Sequence, residues 1–113
     1  MQKYGIDLAK AKFDVSFLSE KGKEVSKVVS NDFSGIEKFL SGLPEDALLC
    51  AEHTGVYGEL LVHLCHLSGV CISLDPGYDN KHRMGLGRGK DDKIDARRIR
   101  EYAERIEDKL RAV

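Results

Sequence analysis

The chain has 113 residues, enough for one domain with a modest core. Hydrophobic residues make up 42% and charged residues 33%, the balance of a globular chain, and no apolar run approaches the roughly 20 residues of a membrane span. A formal net charge of −1 sets aside a uniformly basic chain, so any role with a polyanion must rest on how the charge is distributed.

Met1 leads directly into a strand-like segment, with no signal-peptide pattern before it. Cys50, Cys65 and Cys71 lack CxxC spacing and lie in apolar surroundings. They read as reduced core residues of a cytoplasmic protein.

Tyr4 to Leu8 reads as a first strand, followed by a turn at residues 9–12. Phe13, Val15 and Phe17 alternate with Asp14 and Ser16, the period of a half-buried strand. Glu20-Lys21-Gly22-Lys23 reads as a hairpin turn and Val25 to Val29 as a third strand, which together predict an antiparallel meander. Ser34-Gly35-Ile36-Glu37 has the spacing of a capping box, and Ile36, Phe39, Leu40 and Leu43 predict a short helix ended by Gly42 and Pro44. The continuous run from Ala47 to Ala51 fits an interior strand covered on both faces, and Glu52 closes it. Tyr57, Leu60, Leu61, Leu64 and Leu67 predict a second helix, stopped by Gly69, and Val70 to Leu74 a further strand. Tyr57 reads as a core or helix-start residue. His63 and His66, at i and i+3, read as a partly exposed face of that helix.

Residues 75–90 carry four glycines, one proline and no periodicity, which predicts a long mobile loop. Apolar residues at Ile99, Tyr102, Ala103, Ile106 and Leu110 then predict a final helix with one buried face. The order β-β-β-α-β-α-β-loop-α predicts an α/β domain over residues 1–113: one mixed sheet with helices on its faces.

Four acids stand out on this framework. If Ile6 and Leu8 point into the core, Asp7 and Gly5 point to the opposite face. If the first and fourth strands are parallel neighbours, Glu52 lies beside Asp7 at their carboxyl ends, where open α/β sheets bind ligands. Traced backwards, the apolar stripe of the last helix passes through Asp95 and Asp92. Four converging carboxylates would repel one another, whereas two divalent cations about 4 Å apart would make them a phosphoryl-transfer site. Around them, residues 81–100 hold eight basic and three acidic side chains, a net of five positive charges against six negative for the rest of the chain. Arg88, Lys90, Lys93 and Arg97 in this window are the candidate phosphate contacts.

Gly5-Ile6-Asp7, Glu52-His53-Thr54-Gly55-Val56-Tyr57 and Arg88-Gly89-Lys90-Asp91-Asp92-Lys93-Ile94-Asp95-Ala96 together resemble the N-terminal domain of DEDD insertion-sequence transposases and Piv-type DNA invertases. The resemblance runs over nearly the whole chain in the family's order, and the Lys-x-Asp-Lys-Ile-Asp-Ala stretch is its specific part. It implies a RuvC-like, ribonuclease H-like fold. It also implies a DNA transposase or recombinase that cleaves phosphodiesters and transfers strands, with Asp7, Glu52, Asp92 and Asp95 as catalytic ligands of Mg²⁺ or Mn²⁺. Partners implied are DNA, for some members a guide RNA, and a homo-oligomer; no membrane is implied. Two departures stand out. Asp91 occupies a position where the family often has Thr, and Val113 ends the sequence where members continue into a coiled coil and a serine-bearing C-terminal domain, which predicts an excised domain or a truncated copy. Two other readings compete. One is a non-catalytic nucleic-acid or protein interaction domain whose acids pair with arginines. The other is an actin-like kinase or ATPase fragment, disfavoured because Ala9-Lys10-Ala11-Lys12 offers no glycine-rich phosphate loop.

Overall fold

The computed structural model describes residues 2–52, 55–74 and 92–105, with the backbone alone for Gly55 and residues 92–95. In chain order the elements are β1 (Gln2–Leu8), β2 (Lys12–Leu18), β3 (Glu24–Ser30), α1 (Phe33–Ser41), β4 (Ala47–Ala51), a 3-10 turn (Gly55–Gly58), α2 (Glu59–Ser68), β5 (Cys71–Leu74) and α3 (Asp92–Arg105). The predicted mobile loop at residues 75–90 lies outside the described residues, as do Ile106 and Leu110 of the predicted helix stripe. No described helix is long and apolar enough to cross a membrane.

The five strands form one sheet in the order β3-β2-β1-β4-β5. The first three make the predicted meander, with β1–β2 and β2–β3 antiparallel. The pairs β1–β4 and β4–β5 are parallel. A hairpin needs only a tight turn, whereas each parallel pairing needs a crossover, here supplied by α1 and α2.

Strand alternation divides the sheet into two unlike faces. One is the main core. Tyr4, Ile6, Phe13, Val15, Leu49, Ala51 and Ile72 pack there against Ile36, Phe39 and Leu40 of α1 and Leu61, Leu64 and Cys65 of α2. Rings of Tyr4 and Phe17 lie 4.8 Å apart, and Phe39 meets Phe13 edge-on at 5.9 Å. The other face is polar. It presents Lys3, Gly5 and Asp7 from β1, Asp14 and Ser16 from β2, and Ser73 from β5, with Leu48 and Cys50 of β4 as its apolar part. α3 packs on the β2, β1 and β4 part of this face, and Ile99, Ala103 and the partly buried Tyr102 join Leu48 and Cys50 in a second, small cluster. Every residue of β4 is buried, as its unbroken apolar run predicts.

Helix α1 starts earlier than the capping-box spacing suggests. Its N-cap is Asp32, whose side chain accepts a hydrogen bond from the Gly35 backbone N–H at 2.8 Å, while Asp32 O accepts from Ile36 N. Asp-x-x-Gly supplies the acceptor two residues before Ser34, so Ser34 falls inside the helix. Gly69 ends α2 in the left-handed conformation (φ 77°), where a side chain would be strained. His63 and His66 are exposed on α2 as expected.

The cysteines divide differently from expectation. Cys50 and Cys65 are buried, but Cys71 is exposed, because it lies on the outermost strand. Burial, with a smaller contribution from Cys71, pushes the Cys65 thiol up to about 12. A thiolate-selective maleimide at about pH 8 is therefore expected to modify Cys71 and spare Cys50 and Cys65 until the chain is unfolded. Peptide mapping of the adduct reads this directly, and a label on Cys65 in the folded chain would contradict it.

Candidate functional site

The last registered pair of β1 and β4 is Ile6 with Ala51. The next residues along the two strands are Asp7 and Glu52, so they leave the sheet at the same level. Their Cα atoms are about 4.8 Å apart if strand spacing is kept. The cause lies in the sequence. Ile6 is fully buried in the main core, which turns Asp7 to the opposite face, and Leu49 and Ala51 do the same for Glu52. Both acids are half-buried. The predicted neighbouring of Asp7 and Glu52 is thus present in the fold.

A third acid belongs beside them. Asp14 is registered directly across from Asp7 on β2 and is 6% exposed. The alternation of β2 marks it only as the polar half of a half-buried strand. A further signal is present in the sequence: a hairpin centred between Lys10 and Ala11 pairs residue 7 with residue 14. What the alternation cannot show is that a helix covers this face. Asp14, Asp7 and Glu52 lie in a row across three strands, roughly 10 Å from end to end. No three His, Cys, Asp or Glu side chains among the described residues are grouped so as to hold one metal ion. A third or fourth donor for an ion at Asp7 and Glu52 must come from elsewhere.

α3 packs on the same face, at the neighbouring level of Gly5 and Ser16. A Cβ placed on Gly5 would lie 2.1 Å from the Ala96 carbonyl oxygen and 2.5 Å from the Arg100 amide nitrogen. Only glycine admits that approach, and Gly5 is two residues before Asp7 while Asp95 directly precedes Ala96. The backbone carrying Asp92 and Asp95 therefore begins α3 close to the Asp7 strand. Their side chains, with that of Lys93, lie outside the described residues, as do Arg88, Lys90 and Asp91.

The basic residues of α3 divide. Arg97 is 3.5 Å from Glu24 of β3 and 4.0 Å from Glu101, both pairs partly exposed and individually weak. Arg100 is 3% exposed; its Nε donates to Ser16 Oγ at 3.2 Å and its Nη1 to Glu104 at 3.3 Å. Arg100 thus belongs to the basic window in sequence, but its guanidinium is a buried fastener between α3 and β2. Arg98 is exposed.

Beyond Glu52 the chain enters the 3-10 turn. Val56 is 68% and Tyr57 44% exposed, so Tyr57 is not the core residue its helical spacing suggested, although it does precede a helix. His53 lies outside the described residues. The side chain of Asn31 reaches this region from the end of β3, donating to Ala9 O and Tyr57 O. No sequence pattern singles out Asn31.

The arrangement presents hard oxygen donors at the carboxyl ends of parallel strands, the donor type that suits Mg²⁺ or Mn²⁺ rather than a thiophilic metal. The fold is similar to that of solved RuvC structures. Thermus thermophilus RuvC matches with a TM-score of 0.58 and 14% identity over all of both chains. T. thermophilus RuvC in complex with Holliday junction substrate matches with a TM-score of 0.57 and 12% identity, over all of this chain and 99% of the other. At these identities the likeness establishes a ribonuclease H-like fold of the RuvC type. No curated protein sequence matches the chain. Residues 4–113 match the family DEDD_Tnp_IS110, described as a transposase, and the chain belongs to that family.

Proposed function

We propose that this chain is the metal-binding nuclease domain of a transposase, a single ribonuclease H-like unit acting on DNA phosphodiesters. The observation that carries the reading is the placement of Asp7 and Glu52 one residue past the last registered pair of two adjacent parallel strands, with the helix that carries Asp92 and Asp95 packed against Gly5. In this reading the four carboxylates hold Mg²⁺ or Mn²⁺, and Arg88, Lys90 and Lys93 grip the flanking phosphates. Arg97 joins them by exchanging its exposed ion pairs for phosphate oxygens. When bound, the cations would polarise the scissile phosphate and favour ionisation of the attacking oxygen. The residues of the chain hold the donors in place. β1 and β4 fix the spacing of Asp7 and Glu52, and Gly5 lets α3 approach closely enough to bring in the other two. Buried Arg100 fastens that helix to Ser16 at some distance from the substrate.

The fold likeness to a RuvC bound to a Holliday junction supports a branched DNA as the substrate to try first. Contacts from a basic segment to phosphates predict weak, nearly sequence-independent binding whose affinity falls steeply with salt. The test is a salt titration of branched DNA, duplex DNA and structured RNA, with and without Mg²⁺. Binding to DNA in Mg²⁺ is expected. The Lys90→Ala/Lys93→Ala variant should lower the salt slope by roughly one unit for each phosphate that a lysine no longer neutralises. No binding of any substrate at low salt with Mg²⁺ would defeat the proposal. An unchanged slope in the double variant would move the contact surface away from these lysines.

A further inference from the structure

Asn31 lies between the last residue of β3 and Asp32, the N-cap of α1. Its backbone N–H donates to Ala11 O at 2.9 Å. Its side-chain Nδ2 donates to Ala9 O at 2.8 Å and to Tyr57 O at 3.0 Å. Ala9 is two residues past Asp7, in the turn that follows β1. Tyr57 lies in the 3-10 turn that follows Glu52. The registered pairing of β1 and β4 stops at Ile6–Ala51, just before the two acids. Past that point a single carboxamide ties the two outgoing segments to each other.

The bonding fixes the chemistry of the tie. Both N–H bonds of the amide point at carbonyl oxygens, so the amide cannot be turned over without setting oxygen against oxygen. A hydroxyl has one proton and can serve only one of the two carbonyls. A carboxylate has none. Oδ1 of Asn31 is buried and has no hydrogen-bond partner among the described residues. A group kept at that cost in place of a smaller polar residue is used for its two donors.

We infer that Asn31 is a positioning residue for the Asp7–Glu52 pair, holding the segments beyond β1 and β4 at the spacing a divalent cation requires. The inference rests on the metal-binding reading above and adds to it a residue that touches neither metal nor substrate. Groups that orient ligands in this indirect way commonly change metal affinity by roughly 10- to 100-fold.

The experiment is a Mn²⁺ titration of the chain followed by thermal unfolding. The wild type is compared with Asn31→Ala, the isosteric Asn31→Asp, which lacks both donors, and Asn31→Ser, which keeps one. Asp32→Ala serves as the neighbouring control, because it removes the α1 cap without touching Ala9 or Tyr57. Both Asn31→Ala and Asn31→Asp are expected to raise the Mn²⁺ concentration at half-effect about tenfold or more, with Asn31→Ser between them and the wild type. Asp32→Ala should lower the metal-free Tm yet keep the wild-type half-effect concentration. If Asn31→Ala fails to fold, the Asp and Ser variants carry the comparison. A half-effect concentration within about twofold of wild type in those variants, with Asp7→Asn abolishing the response, overturns the role of Asn31 and leaves the metal site standing. A wild type that shows no response to Mn²⁺ overturns both.

Discussion

On the metal-binding proposal, Mg²⁺ or Mn²⁺ is expected to raise the Tm of the wild-type chain, and replacing Asp7 by Asn to abolish that rise. A ligand that binds only the folded state stabilises it by about 2.7 kcal/mol at a hundred times its Kd. For a domain of this size that corresponds to roughly 10 °C. Asp7 is the central member of the row Asp14, Asp7, Glu52, so every shared position for a cation in that row includes it. The neutral amide keeps the shape of the side chain and removes its charge. The Tm of the variant in EDTA gives its own metal-free baseline, against which its metal response is read. A metal response lost from a variant that still unfolds cooperatively in EDTA separates loss of a ligand from general damage. Calorimetry in EDTA and in millimolar-range Mn²⁺ reads both. A variant that keeps half or more of the wild-type rise would remove Asp7 from the site. Any cleavage activity should fall by more than the roughly 100-fold that loss of an outer-shell partner costs.

The second large effect is expected at Gly5. In Gly5→Ala the new methyl would lie 2.1 Å from the Ala96 oxygen and 2.8 Å from the Arg100 Cβ. Helix backbone cannot yield by a rotamer change, so α3 must lift or tilt. Overpacking of this kind costs about 1–3 kcal/mol where side chains can adjust, and the upper end or beyond applies where backbone meets backbone. Among the described residues the apolar contacts that resist lifting are few: Ile99 and Ala103, with Tyr102 at their side, against Leu48 and Cys50. The expected result is a helix released from an otherwise folded sheet, with Tm lowered by about 10 °C or the α3 transition uncoupled from the rest. Amide exchange over residues 96–103 should accelerate more than over β1 to β3. The metal response should weaken even though no carboxylate has been changed. Wild-type protection in α3 would show that the contact at Gly5 is not what sets the helix on the sheet.

Much of this architecture is legible in local pattern. Ile6 and Leu8 set the outward direction of Asp7, and the unbroken run from Ala47 to Ala51 marks β4 as interior. The family resemblance of the three motifs adds the fold type. The features that local pattern misses share a cause: each depends on what another segment places against a residue. Asp14 obeys its alternation, but α3 makes its face an interior one. Arg100 belongs to a basic run in sequence and is buried by Ser16 and Glu104 in space. Cys71 has apolar neighbours in the chain and lies on an edge strand. Asp32 and Ser34 both stand at cap spacing, and the Asp32 carbonyl accepting from Ile36 decides between them. Asn31 has no signal in sequence because its partners, Ala9, Ala11 and Tyr57, contribute only backbone carbonyls.

The contact between α3 and the first hairpin also sets an order of assembly. Ser16 and Arg100 are 84 residues apart, and Gly5 lies further still from the helix it receives. The meander of β1 to β3 closes through short turns and is complete once the first 30 residues have been made. Translation at roughly 5–20 residues per second then leaves on the order of ten seconds before α3 emerges. During that interval the polar face of the sheet carries Asp7 and Asp14 without its covering helix. Docking of α3 on β1 and β2 closes the longest loop among the described elements, and closing long loops slows the folding of such non-local topologies. The nascent chain thus has Asp7 and Asp14 in place early, and on the proposed reading it lacks the two carboxylates of α3 until that helix docks.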